Sequence, residues 1–364
     1  MPFPRGCILE AQRPVGDPIP PHVLSRAAHG NNAMTQRGFP VTTSVPSADA
    51  IRMRILPKYR LRQPVTCRFL VRGLNDTYTV RDANATYYMR VYRHGWRRKS
   101  EIDAEVDMLN YLARHDQPVS RPVRRKDGAY LTRIAAPEGT RYAVLFTEAP
   151  GRPPRFNEAE CRQYGEIAAQ IHAVLDRRTE DPRRPPLDLP RLIDEPLAHI
   201  TPFLEHRRDD LEYLRDVGSA LRSEIDGLLP KRAPEYGCCH GDHHGGNVHQ
   251  DQRGAMVLFD FDYCGYGWRA YDAAVFLWAL EGEYSQDPEG KTKTSRRWNA
   301  FLDGYSKVRT FTDDELKATA LFVPVRRIWW MGMHMSRTVE TFGTAFLQDR
   351  WFDRNIGLVR KALE

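Results

Sequence analysis

From residue 240 the chain reads His240-Gly241-Asp242-His243-His244-Gly245-Gly246-Asn247, and thirteen residues after Asn247 it reads Asp260-Phe261-Asp262. No other stretch narrows the possible folds as far. Val248-His249-Gln250 and Ala255-Met256-Val257-Leu258-Phe259 are strand-like runs, and the intervening Asp251-Gln252-Arg253-Gly254 has the composition of a turn. Pairing Gln250 with Ala255 sets Asn247 opposite Leu258. Asp260 then lies two residues further on, about 7 Å at extended-chain rise. A carboxamide and a carboxylate are thereby delivered to one end of one hairpin, with Asp242 just ahead of them. A His- and Gly-rich surface turn would require no acidic partner at hairpin distance.

The five-residue offset from Asp242 to Asn247 is that of the protein-kinase loop H-R-D-x-x-x-x-N, and Asp260-Phe261-Asp262 stands where that template has D-F-G. Phosphoryl transfer asks for little covalent chemistry. It needs an acidic residue to orient the attacking hydroxyl and hard oxygen ligands to hold a metal against the triphosphate. On these motifs the chain resembles the aminoglycoside phosphotransferase and choline kinase superfamily. Within it the branch of homoserine kinase type II and the bacterial stress response kinases is the most similar, with loops of the His-Gly-Asp-x-His-x-Gly-Asn type and an Asp-Phe-Asp or Asp-x-Asp metal motif. The resemblance runs from about Phe39 to Trp351. It implies an α+β, two-lobed protein-kinase-like fold, with a small antiparallel-sheet N-lobe and a mainly helical C-lobe. It further implies ATP and magnesium as cofactors, Asp242 as the catalytic residue, and Asn247, Asp260 and Asp262 as metal ligands. Asp272 matches an acid that relatives use to brace the catalytic loop, and His240 opens that loop; an ordinary helix-start aspartate is the competing reading of Asp272.

Residues 1–45, rich in Pro, Gly, Ser and Asn and without periodicity, are expected to form a poorly ordered extension, with Met34 an alternative start. Residues 46–148 then form the nucleotide-covering lobe and 149–364 the catalytic and substrate lobe. In the first of these, Ala48 to Tyr59 looks helical. Val65 to Val71, Thr77 to Arg81, Tyr87 to Tyr92 and Tyr142 to Phe146 look like strands, and Glu101 to His115 has helical spacing. Asn75, in Gly73-Leu74-Asn75-Asp76-Thr77, occupies the place of a phosphate-covering loop, although one glycine makes a weak motif and a plain hairpin turn reads equally well. Arg90 stands where the kinase template has its phosphate-binding lysine, with Glu105 as its helix partner and Glu101 second. Thr147 and Glu148 occupy the hinge, where backbone groups would hold adenine. Asn157 to Arg177 is a long amphipathic helix with His172 on its apolar stripe, read as a packed core residue. Pro185 to Glu205, Asp209 to Leu229, Trp298 to Val308 and Leu316 to Arg360 complete a helical lobe.

The formal charge of +7 invites a nucleic-acid reading. The basic runs Arg93 to Lys99, Arg121 to Lys126 and Arg177 to Arg184 are scattered rather than set on one recognition helix, no aromatic-interleaved binding motif accompanies them, and they read as solvated surface; nucleic acid is not an expected partner. Six cysteines with no C-x-x-C pair suggest reduced thiols. With no apolar run of the ~20 residues a membrane helix needs, the enzyme is expected to be cytoplasmic with no membrane partner. The acceptor is expected to be a small hydroxylated molecule, an amino alcohol or similar metabolite. Glu281, Glu283 and Trp330 are the candidate substrate contacts, alongside Trp278, Trp329 and Met333. Two other functions compete: a protein serine/threonine kinase, which the short stretch from Asp262 to Arg269 disfavours for want of an activation segment, and a nucleotide-binding pseudokinase, which only Arg90 favours.

Overall fold

A computed structural model describes residues 39–178, 183–283 and 287–363. Most of the expected extension, residues 1–38 with Met34 among them, lies outside the described residues. The described residues form two units, one within 43–188 and 225–323 and one within 39–42, 189–224 and 324–363.

The first unit carries a five-stranded antiparallel sheet, Thr66–Arg72 (β1), Asp76–Arg81 (β2), Thr86–Val91 (β3), Thr132–Ala136 (β4) and Gly139–Thr147 (β5), in the order β1-β2-β3-β5-β4. β4 is absent from the sequence expectations. It lies at the sheet edge and buries only Thr132, so no buried apolar residue marks it. One face of the sheet, with Tyr78, Val80, Met89, Val91, Ala143 and Leu145, packs on the helix Ala48–Arg54 (α1). That helix stops short of the expected Tyr59 and tightens into a 3₁₀ turn at Leu56–Lys58, because Pro57 has no N–H with which to continue the ladder. Within the sheet Arg141, 1% exposed, bonds the Asp76 carboxylate at 2.7 Å and the carbonyls of Ser44, Val91 and Tyr92. The other flank receives the helix Lys99–Arg114 (α2). It begins two residues before the expected Glu101, whose carboxylate turns back to accept the Arg98 N–H at 2.7 Å.

Glu158–Asp176 (α3) begins on the capping pair Asn157 and Glu160, as its periodicity predicts. The second unit holds Glu195–Ile200 (α4) and most of Arg208–Leu228 (α5). Back in the first unit, Tyr236–Cys239 (β6) leads into the 240–247 loop, Val248–Gln250 (β7) and Met256–Leu258 (β8) form the hairpin, and Gly265–Trp268 (β9) pairs with β6. Arg269–Glu283 (α6), Gly290–Tyr305 (α7) and the start of Asp313–Met333 (α8) follow. α7 packs backbone to backbone on α3: a β-carbon on Gly165 would stand 2.0 Å from the Phe301 carbonyl oxygen, and one on Gly304 1.8 Å from that of Arg162. The helical stretch expected from Leu316 to Arg360 is made of several helices. α8 passes into a π-turn at His334–Thr338, a short helix Val339–Phe342 (α9) follows, and Asp349–Lys361 (α10) starts afresh. Among the described residues no helix is long and apolar enough to cross a membrane.

Candidate active site

The hairpin exists with its register moved by one. Gln250 pairs with Met256 and Val248 with Leu258, so Asn247 faces Phe259, whose N–H donates to the Asn247 carbonyl at 2.9 Å. Ala255 belongs to the turn instead. Asp251 accepts its N–H, and Gly254, at φ +83°, supplies the left-handed residue of the five-residue connection 251–255. Asp260 therefore follows one residue after the partner of Asn247. It is itself left-handed, at φ 65° and ψ 58°, a conformation that costs a non-glycine residue free energy and concentrates at functional sites.

The 240–247 loop is pinned from below by Asp272 on the first turn of α6. Its carboxylate accepts the N–H of His240 at 2.6 Å and of Gly241 at 2.7 Å, and a ring N–H from His172 at 3.1 Å. Gly241, at φ +79°, brings the backbone so close to Tyr263 that a β-carbon would lie 2.3 Å from its carbonyl oxygen. Burial alone would raise the pKa of Asp272, but the His172 hydrogen bond holds it well below the usual carboxylate range. His172 donates Nε2–H to Asp272 and faces the Tyr305 hydroxyl through Nδ1 at 2.8 Å. Burial lowers its pKa to about 4, so the ring is neutral. The core histidine of the sequence reading is thus also the second support of the loop. His240 closes the other side, with Nε2 donating to the Phe259 carbonyl at 3.1 Å and Nδ1 accepting the Asp242 N–H at 3.3 Å.

Above this frame sit the predicted polar residues. Asn247 donates Nδ2–H to Asp242 Oδ2 at 3.0 Å and to the Asp242 carbonyl at 2.9 Å. Its other end, Oδ1, is buried and has no hydrogen-bond donor among the described residues. The Asp260 carboxylate, one-third exposed, meets Arg90 at 2.9 Å. Arg90 also bonds Glu105 at 2.7 Å, the partner the strand and helix positions predict, and Glu105 takes a second bond from the Tyr92 hydroxyl at 2.9 Å. Burial raises the pKa of Glu105 against the pull of Arg90. Glu101, the second candidate, caps α2 instead.

Asp262 departs from the ligand role expected of it. It is 2% exposed, and its carboxylate is taken by Arg97 Nε at 3.0 Å, Trp96 Nε1 at 2.6 Å and Asn75 Nδ2 at 3.2 Å, while Arg97 and Arg184 bond its carbonyl. Burial pushes its pKa up, but the Arg97, Arg90 and Arg184 guanidiniums outweigh it and bring the value down to about 2. Asn75 is accordingly spoken for by Asp262 and by the Arg93 N–H, which holds its Oδ1 at 3.3 Å. Arg97 and Arg184, each 7% exposed, come from two of the runs read as solvated surface. The one sequence signal that set Arg97 apart was Trp96 beside it. At the hinge Thr147 has its N–H on Arg121 and its carbonyl on Ser120 Oγ, which leaves the exposed Glu148 as the next backbone position. Glu281 is half-buried and Glu283 exposed at the end of α6. Trp330 belongs to the second unit, where it stacks on Trp351 with ring centroids 5.8 Å apart and meets His334 in a tilted contact at 3.8 Å.

A five-stranded antiparallel sheet and a largely helical remainder, with an Asp/Asn loop beside an acidic hairpin end, define a kinase-like phosphotransferase. The chain matches the phosphotransferase enzyme family over residues 67–311 and belongs to it. An uncharacterized protein of Synechocystis is 36% identical over 320 residues, 87% of this chain and 86% of that one. Among solved structures, an amicoumacin kinase in complex with AMP-PNP, Ca2+ and Ami superposes with a TM-score of 0.72 at 22% identity, covering 86% of this chain and 94% of that chain. A microcompartment-associated aminopropanol kinase does so with a TM-score of 0.65 at 21% identity, covering 86% and 95%.

Proposed function

We propose that this phosphotransferase moves the γ-phosphate of ATP, with magnesium, to the hydroxyl of a small amino alcohol or similar metabolite. The orphaned Asn247 Oδ1 carries the reading. A buried carboxamide oxygen without a donor costs about 1–3 kcal/mol, which a hard cation bound there would recover. Asp260, the adjacent carboxylate still partly open to solvent, is the second ligand. Asp262 is assigned to bracing, because its oxygens already serve three donors. Bound magnesium would neutralise charge on the phosphates and fix their orientation.

Arg90 binds the phosphates, and Glu105 and Tyr92 hold its guanidinium. Asp242 orients the acceptor. As the acceptor oxygen bonds to phosphorus, the bond to the departing diphosphate breaks and the hydroxyl proton passes to Asp242. Glu148 and the residue after it offer the adenine backbone contacts. Glu281 and Glu283 supply charge for an amine on the acceptor, and the aminopropanol kinase that shares the fold supports an amine-bearing acceptor. α6 starts at Arg269, seven residues after Asp262, which leaves no room for a peptide-docking activation segment and favours a small acceptor over a protein.

The test is ADP release by the full chain with magnesium–ATP against panels of amino alcohols, sugars and generic protein substrates. Turnover is expected on the small compounds, with kcat lowered about a thousandfold by Asp242→Asn at unchanged nucleotide affinity. Labelling of protein serine or threonine alone would overturn the small-molecule reading.

A further inference from the structure

His244 stands two residues beyond Asp242, and each of its ring nitrogens has a defined neighbour. Nδ1 accepts the Gly246 N–H at 2.9 Å. A nitrogen that accepts has no proton, so the ring is the neutral Nε2–H tautomer. Nε2 lies 3.3 Å from Asp242 Oδ2, the same oxygen that Asn247 Nδ2 reaches at 3.0 Å. The two nitrogens are 3.4 Å apart on the same side of that oxygen; Asn247 hydrogen-bonds it, and His244 Nε2 stands beside it within reach of a small ring rotation. The other histidines of the loop are turned away: His240 is spent on Phe259 and the Asp242 N–H, and His243 stacks on Tyr164 with centroids 4.3 Å apart.

We propose that His244 is a positioning residue for the reaction base, a neutral imidazole locked at Nδ1 by the loop backbone so that Nε2–H holds the plane of the Asp242 carboxylate. The inference rests on Asp242 being that base. One donor fixes a point on a carboxylate and leaves it free to swivel. A second donor beside the first limits that swivel, and a base that must meet a hydroxyl proton needs a fixed orientation. Asn247 does not suffice alone, because its other end is committed to the metal in the proposed site. His244 keeps its proton throughout; the only proton that moves is the one passing from the acceptor hydroxyl to Asp242.

Two substitutions separate this role from simple loop capping. In His244→Asn the side-chain oxygen takes the place of Nδ1 and keeps the Gly246 bond, but the side chain ends short of Asp242. In His244→Gln the amide nitrogen reaches Asp242 and the cap is lost. With the amino-alcohol panel as acceptor, His244→Asn is expected to lower kcat about ten- to a hundredfold at wild-type melting temperature and KM for ATP. His244→Gln is expected to recover most of kcat despite a lower melting temperature. In an Asp242→Asn background, His244→Asn should cost nothing further, since the group it orients is gone. Activity that follows melting temperature across the variants, or full activity in His244→Asn, would overturn the proposal. An Asp242→Asn enzyme with wild-type turnover would instead sink the base assignment beneath it.

Discussion

Asp260 and Asp262 are chemically identical and two residues apart, and the fold treats them differently. Asp260 is held left-handed, partly exposed and facing Arg90, whereas Asp262 is sealed among Arg97, Trp96 and Asn75. Asp262→Asn should therefore lower stability by roughly 3 kcal/mol, because it leaves buried guanidinium charge short of its partner, while the magnesium dependence of ADP binding persists. Asp260→Asn should do the reverse. Thermal melts and ADP titrations with and without magnesium decide, and loss of the magnesium effect in Asp262→Asn at wild-type melting temperature would return it to the ligand set. The loop and both acids were legible in the sequence because their spacing is local. The cage around Asp262 was not, because Arg97 and Arg184 arrive from 165 and 78 residues away. A basic run gives no sign of which of its members will be buried.

Helices with a clear apolar stripe, α2 and α3 above all, were readable to within a few residues. Elements defined by pairing rather than by burial were not. β6 and β9 are short and depend on each other across a long separation, β4 is a short edge strand with a single buried residue, and the 248–258 hairpin slipped by one because turn composition does not fix loop length. The α3–α7 contact was likewise invisible, since Gly165 and Gly304 give no sequence signal of touching a neighbouring backbone. It makes a prediction that runs against helix propensity. Gly357 in α10 has open space around its missing side chain, and Gly357→Ala should stabilise by about 0.5–1 kcal/mol. Gly304→Ala should destabilise by about 2 kcal/mol, since its methyl must push two helix backbones apart. Denaturant midpoints measure both, and a stabilised Gly304→Ala would contradict the packing.

Across the whole molecule, burial lowers the pKa of His172 to about 4, of His243 to about 3 and of His334 to about 4. In the unfolded chain these rings take up protons near their ordinary value of about 6.5. Their contribution to stability is therefore present above pH 6.5 and is lost as the pH falls from there toward 4 and 3. Each costs about 1.4 kcal/mol per pH unit in that window. A pronounced fall in melting temperature between pH 7 and pH 5 is the expected outcome, and a flat profile would refute it. His243 offers a control, since neither of its ring nitrogens has a hydrogen-bond partner among the described residues. His243→Leu should raise stability at pH 7 and flatten the acid slope. Asp272 and Asp262, with depressed values, hold their stabilisation until the pH falls below the ordinary carboxylate range near 3.8, so they add nothing to the loss between pH 7 and 5.

Arg90 joins Glu105 and Asp260 in one charge cluster, and this bears on the order in which the site fills. On the ligand assignment made above, Asp260 already has its countercharge from the protein, so a bare divalent ion must compete with a guanidinium for it. Triphosphate oxygens can draw Arg90 away and leave the carboxylate to the metal. Nucleotide and ion are then cooperative guests, each raising the affinity for the other, and the enzyme discriminates against metal that arrives alone.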